Sequence, residues 1–418
     1  MERAKLLTYT LDMGQEMLWC GAEVSRVEDT VRRLLTCFGA VRVDVMTIPS
    51  SITLTAAFPD GEVLTQLRRI DGGRYDTDFA RLSRYNDLSR RICSQKGSGE
   101  ELAKGLKEIR CQNQGKKDAL GRLFGYCLGA SAFTVFLGGA PQDGAAAAVV
   151  GLLLYFGDGL LKRVHMQRLL QTFLLSLFAG LAAILPGLVS PLFHPGSIMI
   201  GTIMLLIPGI AMTNSVRDML MGDTISGTLR LVESLFIACF IAAGFASALL
   251  LSQSIWPVSQ LGSLADHAWV QIVTAGISAF GFCFIFRVPK KSILGCCIGC
   301  SLCWGVYLLC QPLLGDGFAS QTVAALFGAG YAEIMARLTR TPATVYLMPA
   351  LIAMVPGRGL YCTMEAMVRG SRGEILQWGT DTAISALALA VGIVAVAALL
   401  SSFQTFCRAI RLKKGEKA

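Results

Sequence analysis

MLLIPGIAMTNSVRDMLMG occupies residues 204–222, and IAMVPGRGLYCTMEAMVRG occupies residues 352–370. Slid by 148 positions, Pro208-Gly209 falls on Pro356-Gly357, Met219 on Met367 and Gly222 on Gly370. Carried on without a gap, the same offset brings Glu233 onto Asp381 and Gly244 onto Gly392. Each stretch is apolar but short, and Pro-Gly interrupts it. Proline removes a backbone donor and frees carbonyls that lipid cannot satisfy. Irregular backbone at membrane depth is tolerated where protein or a water-filled cavity covers it. A matched pair of broken helices therefore points to the substrate site of a transporter.

The rest of the chain agrees with a membrane reading. Hydrophobic residues make up 53% and charged residues 16%, against about 25% charged in ordinary soluble domains. The charge is also uneven, because residues 1–118 hold 19 of the 38 Lys+Arg and 17 of the 29 Asp+Glu. One soluble and one membrane part follow: residues 1–118, a first membrane module over 119–255, and a second over 256–418 ending in a basic tail. A crossing needs about 20 apolar residues. On that measure the spacing predicts ten spans, at 119–138, 144–161, 169–186, 197–212, 225–252, 269–286, 292–310, 319–336, 343–356 and 380–405. The 148-residue offset then contains five spans. An odd number makes the two repeats cross in opposite directions, an inverted five-plus-five arrangement.

Basic residues set the orientation. Lys162, Arg163 and Arg168, then Arg217, then Arg287, Lys290 and Lys291, then Arg337 and Arg340, and finally the tail fall on one side. The opposite loops at 139–143, 187–196, 253–268 and 311–318 hold no Lys or Arg. By the positive-inside rule the amino terminus is cytosolic. The 357–379 loop disagrees, since it carries Arg358, Arg369 and Arg372 on the side that should be outside. It requires either a re-entrant ninth segment or a loop folded back on the protein. The formal charge of +9 is loop charge, and no nucleic-acid partner is expected.

The first part is expected to be a small α+β domain. Residues 5–38 carry two helical apolar patterns, 41–48 and 51–58 alternate as strands around Pro49-Ser50, and 78–94 with 100–112 read as amphipathic helices. MERAKLLTYTLDMGQEM has neither a continuous apolar core nor a small-residue cleavage site, so this domain is expected to stay in the cytosol.

Ionisable groups within spans are expensive and face a cavity or a partner. The candidates are Asp158, Arg217, Asp218, Asp223, Glu233, Glu333, Glu365 and Asp381. Asp158 and Glu333 lie near cytosolic ends, where pairing with Lys162 or Arg337 is the plain alternative. Asp223 precedes Thr224 at a helix start, where an N-cap role is equally apt. Glu233 lies deeper, with Arg230 as an i−3 helical partner. A zwitterion needs both charges answered: helix N-termini and Arg217 for its carboxylate, and Asp218, Glu233, Asp381 or freed carbonyls for its ammonium. A carboxylate among Asp158, Glu233 and Asp381 that changes protonation would couple transport to protons. Cys296, Cys297, Cys300 and Cys303 lack the spacing of a cluster site and read as helix packing. His165, His194 and His267 lie far apart, so no metal is expected. There is no GxxxxGK[ST] phosphate loop for an ATP-driven pump.

GAEVSRVEDTVRRLLTCFGA (21–40), VDVMTIPSSI (43–52) and LSRYNDLSRRI (82–92) resemble the amino-terminal domain of the bacterial threonine/serine exporter family. IPGIAMTNSVRDMLMGDTISGTLRLVES (207–234) is similar to that family's signature, and residues 270–400 to its second membrane module, a separate polypeptide in some bacteria. The resemblance implies export of threonine and serine across a bacterial inner membrane, driven by the proton motive force, by a protein that is not an enzyme and uses no cofactor. Its partners would be a small amino acid, protons and the lipid bilayer, with a homo-oligomer left open. It matches Pro208, Gly209, Asn214, Arg217, Asp218, Gly222, Asp223, Ser226, Gly227 and Arg230 to the signature, and Gly21, Glu23, Arg26, Glu28 and Asp29 to the amino-terminal motif. Pro356 and Gly357 enter as the second break. Dicarboxylate export by split relatives is one alternative. A membrane enzyme with Glu23, Glu28, Asp29 or Asp44 as acid or base is another, against which stands the missing nucleophile-base pairing.

Overall fold

A computed structural model describes residues 3–70, 77–95, 97–111, 115–164, 166–220, 222–252, 267–315 and 317–415. Residues 71–76, His165 and most of the 253–268 loop lie outside these residues.

The amino-terminal domain runs α1 (Arg3–Trp19), α2 (Val24–Cys37), β1 (Arg42–Ile48), β2 (Ser51–Ala57), β3 (Val63–Arg69), α3 (Phe79–Gln95) and α4 (Gly99–Cys111). Helix α2 buries Val24, Val27, Val31, Leu34 and Leu35, the spacing of one helical face. The sheet is antiparallel in the order β1-β2-β3, and Ile48 pairs with Ser51 across the two-residue Pro49-Ser50 turn. Strand β2 turns Ile52, Leu54 and Ala56 inward. The third strand was absent from the sequence expectation. It has no fully buried face, and Val63 and Leu67 stay exposed. Its ladder with β2 and the half-buried Leu64 hold it, and polar ties to α1 add to them: Arg68 pairs with Asp12 at 2.5 Å, and Gln66 donates to the Ala4 carbonyl.

The remainder is helical: α5 (Lys116–Phe136), α6 (Pro141–Arg163), α7 (Arg168–Val189), α8 (Pro195–Ile203), α9 (Gly209–Leu220), α10 (Thr224–Ser252), α11 (Ala268–Ile285), α12 (Lys290–Leu314), α13 (Phe318–Thr339), α14 (Thr344–Leu351), a 3-10 turn at Ile352–Met354, α15 (Gly357–Arg369) and α16 (Arg372–Gly415). Among the described residues, seven helices are long and apolar enough to cross a membrane, and the pair α14–α15, bent by 43°, makes up to eight. That is fewer than the ten spans expected. The 197–212 span is split between α8 and α9, each too short alone. The 319–336 span is α13, whose Gln321, Glu333 and Arg337 dilute its apolar character. The expected 357–379 loop is not a loop: α15 fills its first half, ends at Gly370 in the left-handed region (φ +73°), and α16 starts at Arg372. Arg358 and Arg369 are therefore helical.

Helix pairings recur in the two halves. Helix α5 packs on α6, α7 on α10 and α9 on α10; α11 packs on α12, α13 on α16 and α15 on α16. Across the halves, α9 meets α16 while α15 meets α10, and α5 meets α11. Glycines make these approaches close. A Cβ placed on Gly244 would stand 2.6 Å from the Phe173 carbonyl oxygen, 2.6 Å from Ser176 Cβ and 2.8 Å from the Leu177 nitrogen. One placed on Gly392 would stand 2.8 Å from the Thr322 carbonyl oxygen, 2.6 Å from Ala325 Cβ and 2.8 Å from the Leu326 nitrogen. Each glycine lets α10 or α16 lie directly on a neighbour's backbone, as small residues do between apolar helices.

The amino-terminal domain is docked on the helical part. Phe79 and Ala80 donate backbone N–H groups to the carbonyls of Phe286 and Arg287 at 3.0 and 2.9 Å, and Arg287 reaches back to Asp78 at 2.8 Å. The Ser226 hydroxyl of α10 donates to the Thr47 carbonyl of β1 at 2.5 Å.

Candidate functional site

Pro208 and Pro356 each stand immediately before a helix, where a missing N–H costs nothing. Their carbonyls accept from Met212 (2.9 Å) and Leu360 (3.3 Å) and start α9 and α15. The two breaks touch. A Cβ on Gly209 would come 2.2 Å from Val355 Cγ1, and one on Gly357 would come 2.0 Å from Met204 Sδ and 3.0 Å from Ile207 Cδ1. Positions 207 and 355 correspond at the 148-residue offset, as do 209 and 357. Residue 209 thus contacts 355 while 357 contacts 207.

Beside this crossing lies a cavity of about 340 Å³, within the usual size range of small-molecule sites. One wall is the broken stretch from Met204 to Gly209 with Asn214 of α9; Ile352 and Val355 come from the second break. Arg168 and Thr172 of α7 and Arg230, Glu233 and Ser234 of α10 supply its polar groups. Arg168 and Glu233 pair at 2.7 Å and remain half-exposed. Asn214 is buried, and its Oδ1 has no hydrogen-bond partner. The amino-terminal domain closes the remaining side with Trp19, Gly21, Ala22, Pro49 and Thr77.

Glu23, at the N-cap position of α2, anchors that lid. Arg217 of α9 reaches it at 2.9 Å, with both side chains largely buried. Arg217 also lies 3.5 Å from Asp218, whose second oxygen faces Arg230 at 3.6 Å, an ion-pair separation that leaves it without a hydrogen bond. Burial alone would raise the Glu23 carboxyl, but Arg217, Arg26 and Arg230 outweigh it and hold the group below the ordinary value. Glu28 behaves oppositely. Burial pushes its carboxyl up, against the Thr47 N–H that it accepts at 2.8 Å, and the nearby Asp223 adds to the rise.

Of the residues singled out by sequence, Gly21, Pro208, Gly209, Asn214, Arg230 and Glu233 line the cavity. Arg217 and Asp218 form the seam with the lid, and Pro356 and Gly357 sit at the crossing. The others are elsewhere. Asp223 occupies the position before α10, and its carbonyl accepts from Gly227. Asp158 is tied to Lys162 (2.7 Å) and Gln171 on α6–α7. Glu365 is tied to Arg369, and Asp381 is exposed on α16. Glu233 pairs with Arg168 rather than with the expected Arg230, which is drawn to the more buried Asp218. Arg168 and Thr172 were missed because Arg168 reads as ordinary loop charge; that it begins a helix four residues before Thr172 is the only signal the sequence offers. Trp19 and Thr77 were missed because nothing local says which face of the domain is docked. Cys296 and Cys303 are buried in helix contacts, their thiols donating to the Val345 and Ala324 carbonyls.

Comparison with known proteins gives one family twice. Residues 8–252 match the family described as "Putative threonine/serine exporter", and residues 271–399 match "Threonine/Serine exporter, ThrE". A Corynebacterium glutamicum protein named "Threonine/serine exporter" is 22% identical over 408 residues, covering 94% of this chain and 81% of the relative. A Mycobacterium tuberculosis (strain ATCC 25618 / H37Rv) protein named "Probable threonine/serine exporter" is 22% identical over 408 residues, covering 93% and 75%. No solved structure matches.

Proposed function

The chain belongs to the threonine/serine exporter family, and from that premise we propose that it exports threonine and serine through the cavity at the crossing of its two broken helices. It is a multi-pass membrane protein with the composition and helices of a transporter. The observation that carries the site is the cavity's mixture of charges: Arg168, Arg230 and Glu233, with the unpartnered Asn214 Oδ1, stand beside the non-helical backbone at Met204–Pro208. A zwitterion presents one group of each sign and is answered by such a lining. A dicarboxylate would meet Glu233 as a repulsive neighbour.

In this reading α8–α9, α13 and α14–α15 also cross the membrane. The total becomes ten, arranged as two inverted sets of five over 119–255 and 256–418. The recurrent pairings, the matched backbone contacts of Gly244 and Gly392 and the reciprocal contacts of Gly209 and Gly357 support it. The membrane is the bacterial inner membrane, and the domain over 1–118 is cytosolic, so the cavity's lid faces the solute to be exported. Proton coupling is assigned to Glu233, the one proposed proton carrier that lines the cavity.

The test is efflux from bacterial cells loaded with a threonine-containing dipeptide, with and without the protein, repeated for serine and succinate. Faster threonine or serine efflux that collapses with the proton gradient is expected. Equal efflux of all three solutes with and without the protein overturns the reading. Threonine efflux indifferent to an uncoupler removes the proton alone.

A further inference from the structure

We propose that the crevice between the amino-terminal domain and the end of α13 is a binding site for a phosphate-bearing anion, separate from the transport cavity. It measures about 380 Å³ and is lined by Arg26 of α2, Arg90 of α3, Glu333 and Arg337 of α13, and Arg340. Four guanidinium groups thus share one space with a single carboxylate. None of the four forms an ion pair among the described residues; Arg26 alone has a second carboxylate near it, Glu23, whose charge it helps to hold. Gathering like charges around one crevice is unfavourable unless something of opposite sign offsets them.

The two walls are joined by a side-chain hydrogen bond to a carbonyl rather than by an ion pair. Arg90 Nη1 donates to the Arg340 carbonyl at 3.3 Å. Arg340 itself is held in the left-handed region (φ +55°), where a side-chain-bearing residue is strained. Arg26 Nε is buried with no hydrogen-bond partner. Pro342 and Ala343 complete the lining directly before α14. Guanidinium forks are donors that tetrahedral phosphate oxygens use. A net excess of three positive charges favours phosphate over a single carboxylate.

Two sources carry that chemistry. Ile334 and Leu338, exposed on the same end of α13, would lie against the acyl chains of an anionic phospholipid whose headgroup enters the crevice. A soluble phosphate compound would need no such surface.

The test uses the full-length protein purified in a neutral detergent, titrated separately with short-chain phosphatidylglycerol, short-chain phosphatidylcholine and inorganic phosphate, with binding read by calorimetry. Saturable binding of phosphatidylglycerol without phosphate competition identifies a lipid site, and phosphate binding of similar strength identifies a soluble ligand. Either supports the proposal, provided that Arg90→Gln with Arg337→Gln weakens it about tenfold or more. Glu333→Gln removes the opposing carboxylate and should tighten binding severalfold, a gain that misfolding cannot imitate. Absence of binding to both anions, equal binding of phosphatidylcholine, or unchanged affinity in these variants overturns it.

Discussion

Arg217 of α9 and Glu23 at the start of α2 pair at 2.9 Å, fastening the lid of the cavity to the helix that forms its opposite wall. The lid and the first broken helix are therefore a single electrostatic unit.

Removing one member strands the other. Arg217→Ala should cost about 3 kcal/mol by leaving Glu23 buried without its nearest cation, seen as a fall in the thermal midpoint of the detergent-purified protein. Exchanging the charges, Glu23→Arg with Arg217→Glu, should recover part of that loss. No recovery would show that the pair is incidental to docking.

The pair also fixes a pH response. Glu23 titrates below the ordinary carboxylate value of 4.5 in the fold. Its contribution is then fully present above that value and is lost as pH falls below it. Glu28 has the opposite sign: its folded value is raised, so its contribution is present at low pH and declines as pH rises past 4.5 through the folded value. At pH 7, Glu23→Gln should lower the melting temperature and Glu28→Gln should hold or raise it. The reverse order would contradict both assignments.

At the crossing the two glycines should respond differently. Gly209→Ala drives a methyl into the branched, stiff Val355, which should cost about 1–3 kcal/mol and slow efflux, with Val355→Ala restoring it. Gly357→Ala meets Met204, whose flexible thioether can move, and should be milder. Equal damage from both would mean that the contact is not governed by side-chain stiffness.

Glu233→Gln should reduce threonine efflux severalfold while leaving the melting temperature nearly unchanged. The half-exposed pair with Arg168 contributes little to stability. A large loss of stability would make Glu233 a structural residue.

Much of this was legible beforehand, and the reasons differ by element. The Pro-Gly breaks could be read because proline acts on the backbone locally, and the helices of the amino-terminal domain because their apolar spacing is regular. Strand β3 was not legible, since it buries no full face and its side-chain ties go to Asp12 and Ala4, in a helix far away in the chain. The loop expected at 357–379 is helical instead, because arginines that read as loop charge stand on α15 and α16. The lid residues Trp19 and Thr77 acquire meaning only from docking, which no local pattern encodes. Asp381, the sequence partner of Glu233, lies exposed on α16, so matching positions need not share a role.

Gly244 and Gly392 bring their helices onto the neighbouring backbone, with no layer of side chains between to shear. Each pair, α7 with α10 and α13 with α16, is then a stiff strut that resists internal slip.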